Sequence, residues 1–142
     1  FSQIVELAKA TMASKGFSQS CEFRSGDFHD IDIEEEAYDM VFLGHICRTE
    51  GEERTSRIVK RAVAGLKRGG TIVVADYFSD NERRTNAFGV LMGLTMFANT
   101  RNGGAITFDR MYRHLAENPL EKIRVLEPIG ANMVFVASKT RG

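Results

Sequence analysis

The chain has little with which to build a covalent or metal framework. Only two cysteines occur in 142 residues, Cys21 and Cys47, and they form neither a CxxC pair nor a disulfide scaffold. Both are expected to be reduced thiols in a cytoplasmic protein. The three histidines, His29, His45 and His114, show no metal-ligand spacing, and no metal is expected. An excess of one charge is also missing, because 19 Lys plus Arg balance 19 Asp plus Glu and the basic residues are scattered. That removes the field that draws a protein to nucleic acid or to an anionic membrane, and neither partner is expected. No apolar run reaches the roughly 18 residues that suggest a membrane span. Repeats, low-complexity tracts and a linker are absent, so residues 1–142 read as one domain. Phe1 is not preceded by a methionine, which predicts an N-terminus that was removed, engineered or never recorded.

What is present is a regular alternation of apolar segments and turns. Ile4, Val5, Ala8 and Met12 recur at helical spacing, with Gly16 as a C-cap. Residues 21–24 read as a short strand ending in Ser25-Gly26-Asp27, and five acidic residues between His29 and Ala37 make a solvated loop. Tyr38 to His45 has the continuous apolar centre of a strand covered on both faces. Ile58, Val59, Ala62, Val63 and Leu66 line one face of a helix over Glu50–Leu66, which Gly69-Gly70 stops before a buried strand over Thr71–Tyr77. Residues 87–98 are apolar nearly all round a helix, which predicts burial on more than one side. Thr107 can cap a helix carrying Phe108, Met111, Tyr112 and Leu115 on one stripe. Strands over 122–129 and 132–138, joined by Gly130-Ala131, predict a tight antiparallel hairpin.

Strand, crossover helix and strand is the arithmetic of a parallel sheet, whose ligands sit at the carboxyl ends of its strands. Asp27, Gly44-His45 and Asp76 fall at those ends. Three segments in this order, Ser25-Gly26-Asp27-Phe28, Tyr38 to His45 and Leu66-Lys67-Arg68-Gly69-Gly70 through Asp76, resemble the back half of a class I S-adenosylmethionine-dependent methyltransferase of the small-molecule O-methyltransferase kind. The resemblance implies an α/β fold: a partial Rossmann-like sheet, mostly parallel with a C-terminal antiparallel hairpin, with helices on both faces. It implies methyl transfer from S-adenosylmethionine to oxygen (or nitrogen) of a small-molecule acceptor.

Residue by residue, the resemblance assigns Asp27 and Phe28 to the adenine of the cofactor and Gly44 and His45 to the region under the sulfonium. Asp27 could equally cap a turn. The family commonly has a histidine base where this chain has Arg48, which cannot accept a proton. Arg48 could instead bind a substrate carboxylate, and the adjacent His45 could supply a base or merely bond to backbone. Asp76, Met92, Met96 and Phe97 are the candidate substrate contacts. Asp76 could instead only solvate the rim, and the apolar helix could be core and interface.

The glycine-rich turn that grips the cofactor in such folds is missing, as is the acidic residue that binds its ribose. The chain then corresponds to about the last two-thirds of the catalytic domain, with weak or no cofactor binding of its own. Removing the first two strands of such a sheet bares the Tyr38–Leu43 edge. That predicts a homodimer, a swapped assembly, or direct pairing of this strand with residues 21–24. A non-catalytic remnant serving as an oligomerisation or partner-binding module is the alternative function. A nicotinamide-binding Rossmann protein is a third reading, disfavoured by the antiparallel hairpin.

Overall fold

The computed structural model describes residues 2–141, which divide into two compact units, 2–32 and 33–141. In the first, α1 (Ser2–Ser14) turns Val5, Ala8 and Met12 to a half-buried face, and Gly16 leaves it at a φ of 81°. Residues 21–25 form no strand. The expected pairing of 21–24 with the Tyr38 strand is therefore not made among the described residues. Half-buried Cys21 and Phe23 alternate with exposed Glu22 and Arg24, which pair with each other, but four residues without a partner strand form no ladder.

The second unit is a four-stranded sheet built from β1 (Tyr38–Gly44), β2 (Leu66–Asp76), β3 (Leu120–Ile129) and β4 (Asn132–Lys139), in the order β1-β2-β4-β3. β1 and β2 run parallel, joined through α2 (Cys47–Gly65). β4 is antiparallel to both β2 and β3, as the Gly130-Ala131 hairpin requires. The parallel part of the sheet is thus a single ladder. Between β2 and β3 lie α3 (Ala87–Asn99) and α4 (Phe108–Ala116), the latter capped by the Thr107 side chain on the Arg110 N–H.

Period-two alternation decides which side chains enter the core. Val41 and Leu43 of β1, Ile72 and Val74 of β2, and Phe135 and Ala137 of β4 point to one face. There they meet Val59, Ala62 and Val63 of α2 and Met111 and Leu115 of α4. Within this unit α2 and α4 both lie on that face, while Met40, Phe42 and Leu126 on the other are exposed. Among the described residues β1 is a sheet edge, paired to β2 alone.

α3 departs from its all-round apolar pattern. Only Gly89 and Gly93 are buried, where a Cβ would strike the Phe78 carbonyl or the Ala105 backbone. The two glycines let α3 lie directly against these chain segments, and Phe88, Leu91, Leu94 and Phe97 remain exposed on its outer flank. No helix among the described residues is long and apolar enough to cross a membrane.

His114 on α4 is 8% exposed, and neither ring nitrogen has a hydrogen-bond partner among the described residues. Burial lowers its pKa below the ordinary histidine value, against the opposing pull of Glu52 and Glu117. A folded-state pKa below the unfolded value means that the unfolded chain binds the extra proton first. Stability is therefore full above about pH 6.5 and declines as pH falls below it. His114→Leu removes the group that must be charged, so its urea midpoint is expected to gain on the parent chain at pH 5 relative to pH 8. An equal difference at both pH values would contradict this assignment.

Candidate active site

The tips of β1 and β2 lie side by side, with Gly44 in register with Ala75. β1 ends in a turn that needs a left-handed residue, and His45 takes it at a φ of 56°, its N–H donating to the Ala75 carbonyl at 2.8 Å. Histidine, like asparagine and aspartate, is among the few side chains enriched there. α2 begins two residues later, and its first-turn N–H groups require an acceptor that no N-cap side chain provides.

Asp76 supplies it from across the sheet. On the same face of β2 as Ile72 and Val74, this carboxylate is only 1% exposed. Its Oδ2 accepts from the Arg48 N–H at 3.2 Å and its Oδ1 from the Tyr77 N–H at 2.8 Å. The Arg48 guanidinium completes the pairing, with Nη1 donating to Oδ1 at 2.5 Å. A carboxylate held by two N–H groups and a cation, at a helix N-terminus, is a stable way to bury a charge.

The same Nη1 lies 3.0 Å from His45 Nδ1, while His45 Nδ1 is 3.7 Å from Asp76 Oδ1. The Arg48 guanidinium also sits over the Tyr77 ring, 5.0 Å from its centroid. Tyr77 in turn touches the His45 ring at 4.9 Å and the Phe88 ring edge-on at 4.8 Å. The Asn102–Gly104 loop braces the arginine from behind, with the Gly104 N–H donating to the Arg48 carbonyl at 2.9 Å. Gly51, at a φ of 72°, admits that loop, because a Cβ there would run into the Asn102 carbonyl. Cys47 is no nucleophile: burial, then the Asp76 charge, push its thiol up to about 12.

Gly44, His45, Arg48 and Asp76 therefore converge on one rim. Asp76 neither meets solvent nor stands free for a substrate, since it neutralises Arg48. The carboxylate that Arg48 binds is the chain's own. Met92 and Met96 are half-buried on the inner side of α3, whereas Phe97 is 73% exposed on the outer side. These three do not line one wall. Asp27 and Phe28 belong to the unit of residues 2–32, where Asp27 Oδ1 accepts the His29 N–H at 2.9 Å in a local turn. Sequence reasoning missed Tyr77, whereas Phe88 lies on the apolar helix read either as a substrate wall or as core and interface. Also missed was the Asp76 pairing, which strand alternation signals by putting a carboxylate on the core face.

For an adenosyl sulfonium cofactor, the chain offers a carboxylate with a following N–H (Asp27-Phe28) and a strand end without a side chain at Gly44. A glycine-rich G-x-G-x-x-G turn does not occur in the sequence. Among the described residues no group of His, Cys, Asp or Glu could hold a metal ion.

A model of the O-methyltransferase domain family matches residues 1–119. The tetracenomycin polyketide synthesis 8-O-methyl transferase of Streptomyces glaucescens is 25% identical over 130 residues, covering 92% of this chain and 38% of that protein. An O-methyltransferase family protein from Burkholderia thailandensis shares the fold with a TM-score of 0.87 at 19% identity, over 96% of this chain and 41% of that one. Human N-acetylserotonin methyltransferase, solved in complex with SAM, gives a TM-score of 0.73 at 24% identity, over 84% of this chain and 34% of that one. The chain spans about two-fifths of the length of these relatives.

Replacing Asp76 by Asn keeps the shape but leaves Arg48, 18% exposed, without its counter-charge. The expected cost is roughly 2–4 kcal/mol of unfolding free energy, measured by urea denaturation. A loss below about 0.5 kcal/mol, the range of ordinary surface substitutions, would mean that the pair does not organise this rim.

Proposed function

We propose, from the premise that this chain belongs to the O-methyltransferase domain family, that it is the C-terminal portion of an S-adenosylmethionine-dependent enzyme. The whole protein transfers methyl to oxygen (or nitrogen) of a small-molecule acceptor. The observation that carries this reading is the shared rim at the carboxyl ends of β1 and β2, on a chain whose family match runs through residue 119. Strand tips of α/β sheets are where such folds bind ligands. The cofactor would supply an electrophilic methyl group on sulfur.

The chain's own residues divide the remaining work. Asp27 and the Phe28 N–H would hold the adenine ring, and Gly44 with His45 would take the sulfonium side. Arg48, Asp76 and Tyr77 fix His45 in place. Met92 and Met96 border the acceptor. Without the glycine-rich cradle, residues 1–142 bind cofactor weakly. Free thiols at Cys21 and Cys47 suit a reducing, cytoplasmic setting. The β1 edge and the apolar flank of α3 support a homodimer.

The test compares this chain with one extended by the residues encoded upstream of Phe1. Calorimetry with S-adenosylhomocysteine is expected to give tight binding only for the extended chain, which then transfers labelled methyl to a small phenol. Light scattering on the same samples is expected to give twice the chain mass. Tight binding by residues 1–142 alone, or no transfer by a cofactor-bound extended chain to any oxygen or nitrogen acceptor, would overturn the reading.

A further inference from the structure

A guanidinium has donors and no acceptor, so the nitrogen 3.0 Å from Arg48 Nη1 must be the one without a proton. His45 Nδ1 therefore accepts, and a neutral imidazole in this pose carries its proton on Nε2. The side chain is 42% exposed, its ring meets Tyr77 at a tilt of 47°, and its backbone is fixed in the left-handed turn. The one nitrogen able to take up a proton is thus occupied by a permanent cation. The other carries the N–H, on a side chain that is partly exposed. Arg48 itself is held by Asp76 and never accepts a proton.

We infer that His45 serves this rim as a hydrogen-bond donor through Nε2, with Arg48 as its positioning residue. The acceptor the rim takes is one whose oxygen arrives already ionised: an acidic phenol, an enol or a carboxylic acid. An un-ionised alcohol would need a base, and neither His45 nor Arg48 offers one in this arrangement. An oxyanion needs only donors, and His45 Nε2–H supplies one of the charge-assisted kind. The balance is complete without a proton acceptor. The oxygen contributes the electron pair of the new O–CH3 bond, sulfur keeps the pair of the broken S–CH3 bond, and no proton moves.

This inference rests on the reading of the rim as a methyl-acceptor site, but its test requires no methyl transfer. In the chain labelled with 15N-histidine, long-range proton–nitrogen correlation at pH 9 reads the tautomer of neutral His45 directly. The expected pattern is a protonated Nε2 and a bare Nδ1. In Arg48→Met the preference is expected to weaken or reverse toward Nδ1–H, which can donate to Asp76; Arg48→Lys, which keeps a donor and a cation, is expected to retain it. Should Arg48→Met fail to fold, the parent chain and Arg48→Lys still decide the point.

Titration at the same pH with 4-nitrophenolate, unsubstituted phenol at low occupancy of its anion, and 4-nitroanisole supplies the second arm. The His45 signals are expected to move with nitrophenolate at least about tenfold more tightly than with nitroanisole, a difference of about 1.4 kcal/mol. A bare Nε2 in the parent chain, or equal affinity for nitrophenolate and nitroanisole, would overturn the inference. An Nε2–H tautomer with selective phenolate binding, alongside an extended chain that transfers no methyl, would count against the proposed function alone.

Discussion

The ion pair between Arg48 and Asp76 ties the carboxyl end of one strand to the start of the helix that follows its neighbour. It is made of parts that would each be unfavourable alone. A carboxylate on the core face of β2 lacks solvation, and the first turn of α2 lacks a capping side chain. Put together, the carboxylate caps the helix, the arginine neutralises the carboxylate, and Tyr77 covers the guanidinium face. The Asn102–Gly104 loop reaches the same place only because Gly51 and Gly103 leave room for it. His45 inherits its orientation from this arrangement rather than from its own element.

The consequence for chemistry is a rim of fixed donors. The sequence resemblance implies a histidine base at the position of Arg48. Here that position is occupied by a cation already committed to a buried partner. On the reading proposed for this rim, a permanent donor in place of a proton acceptor would move the energetic demand from the protein to the ionisation of the acceptor. Beside these donors, Gly44 ends β1 without a side chain.

Much of the sheet was legible because its signals are local. Alternation in Val41, Leu43, Ile72 and Val74, helical spacing in Ile58, Val59, Ala62 and Val63, and the Gly130-Ala131 turn each specify their element without reference to the rest. The failures share the opposite character. Residues 21–24 needed a neighbouring strand to become one, and none pairs with them among the described residues. α3 is apolar all round, yet periodicity cannot say which of its sides this chain covers, and only Gly89 and Gly93 are buried. The Asp76 pairing joins residues 28 positions apart, and its clue was a charged residue in phase with core positions. Tyr77 and Phe88 matter through ring contacts that only the folded chain brings about.

The most direct measurement of how far the rim depends on one interaction is a double-mutant cycle of Arg48→Met and Asp76→Asn, followed by urea denaturation. The single replacements are predicted to cost more than the double one after additivity is allowed for, with a coupling energy of about 2 kcal/mol. A coupling energy within about 0.5 kcal/mol of zero would show that the two side chains are independent, and that the rim is held in place by something else.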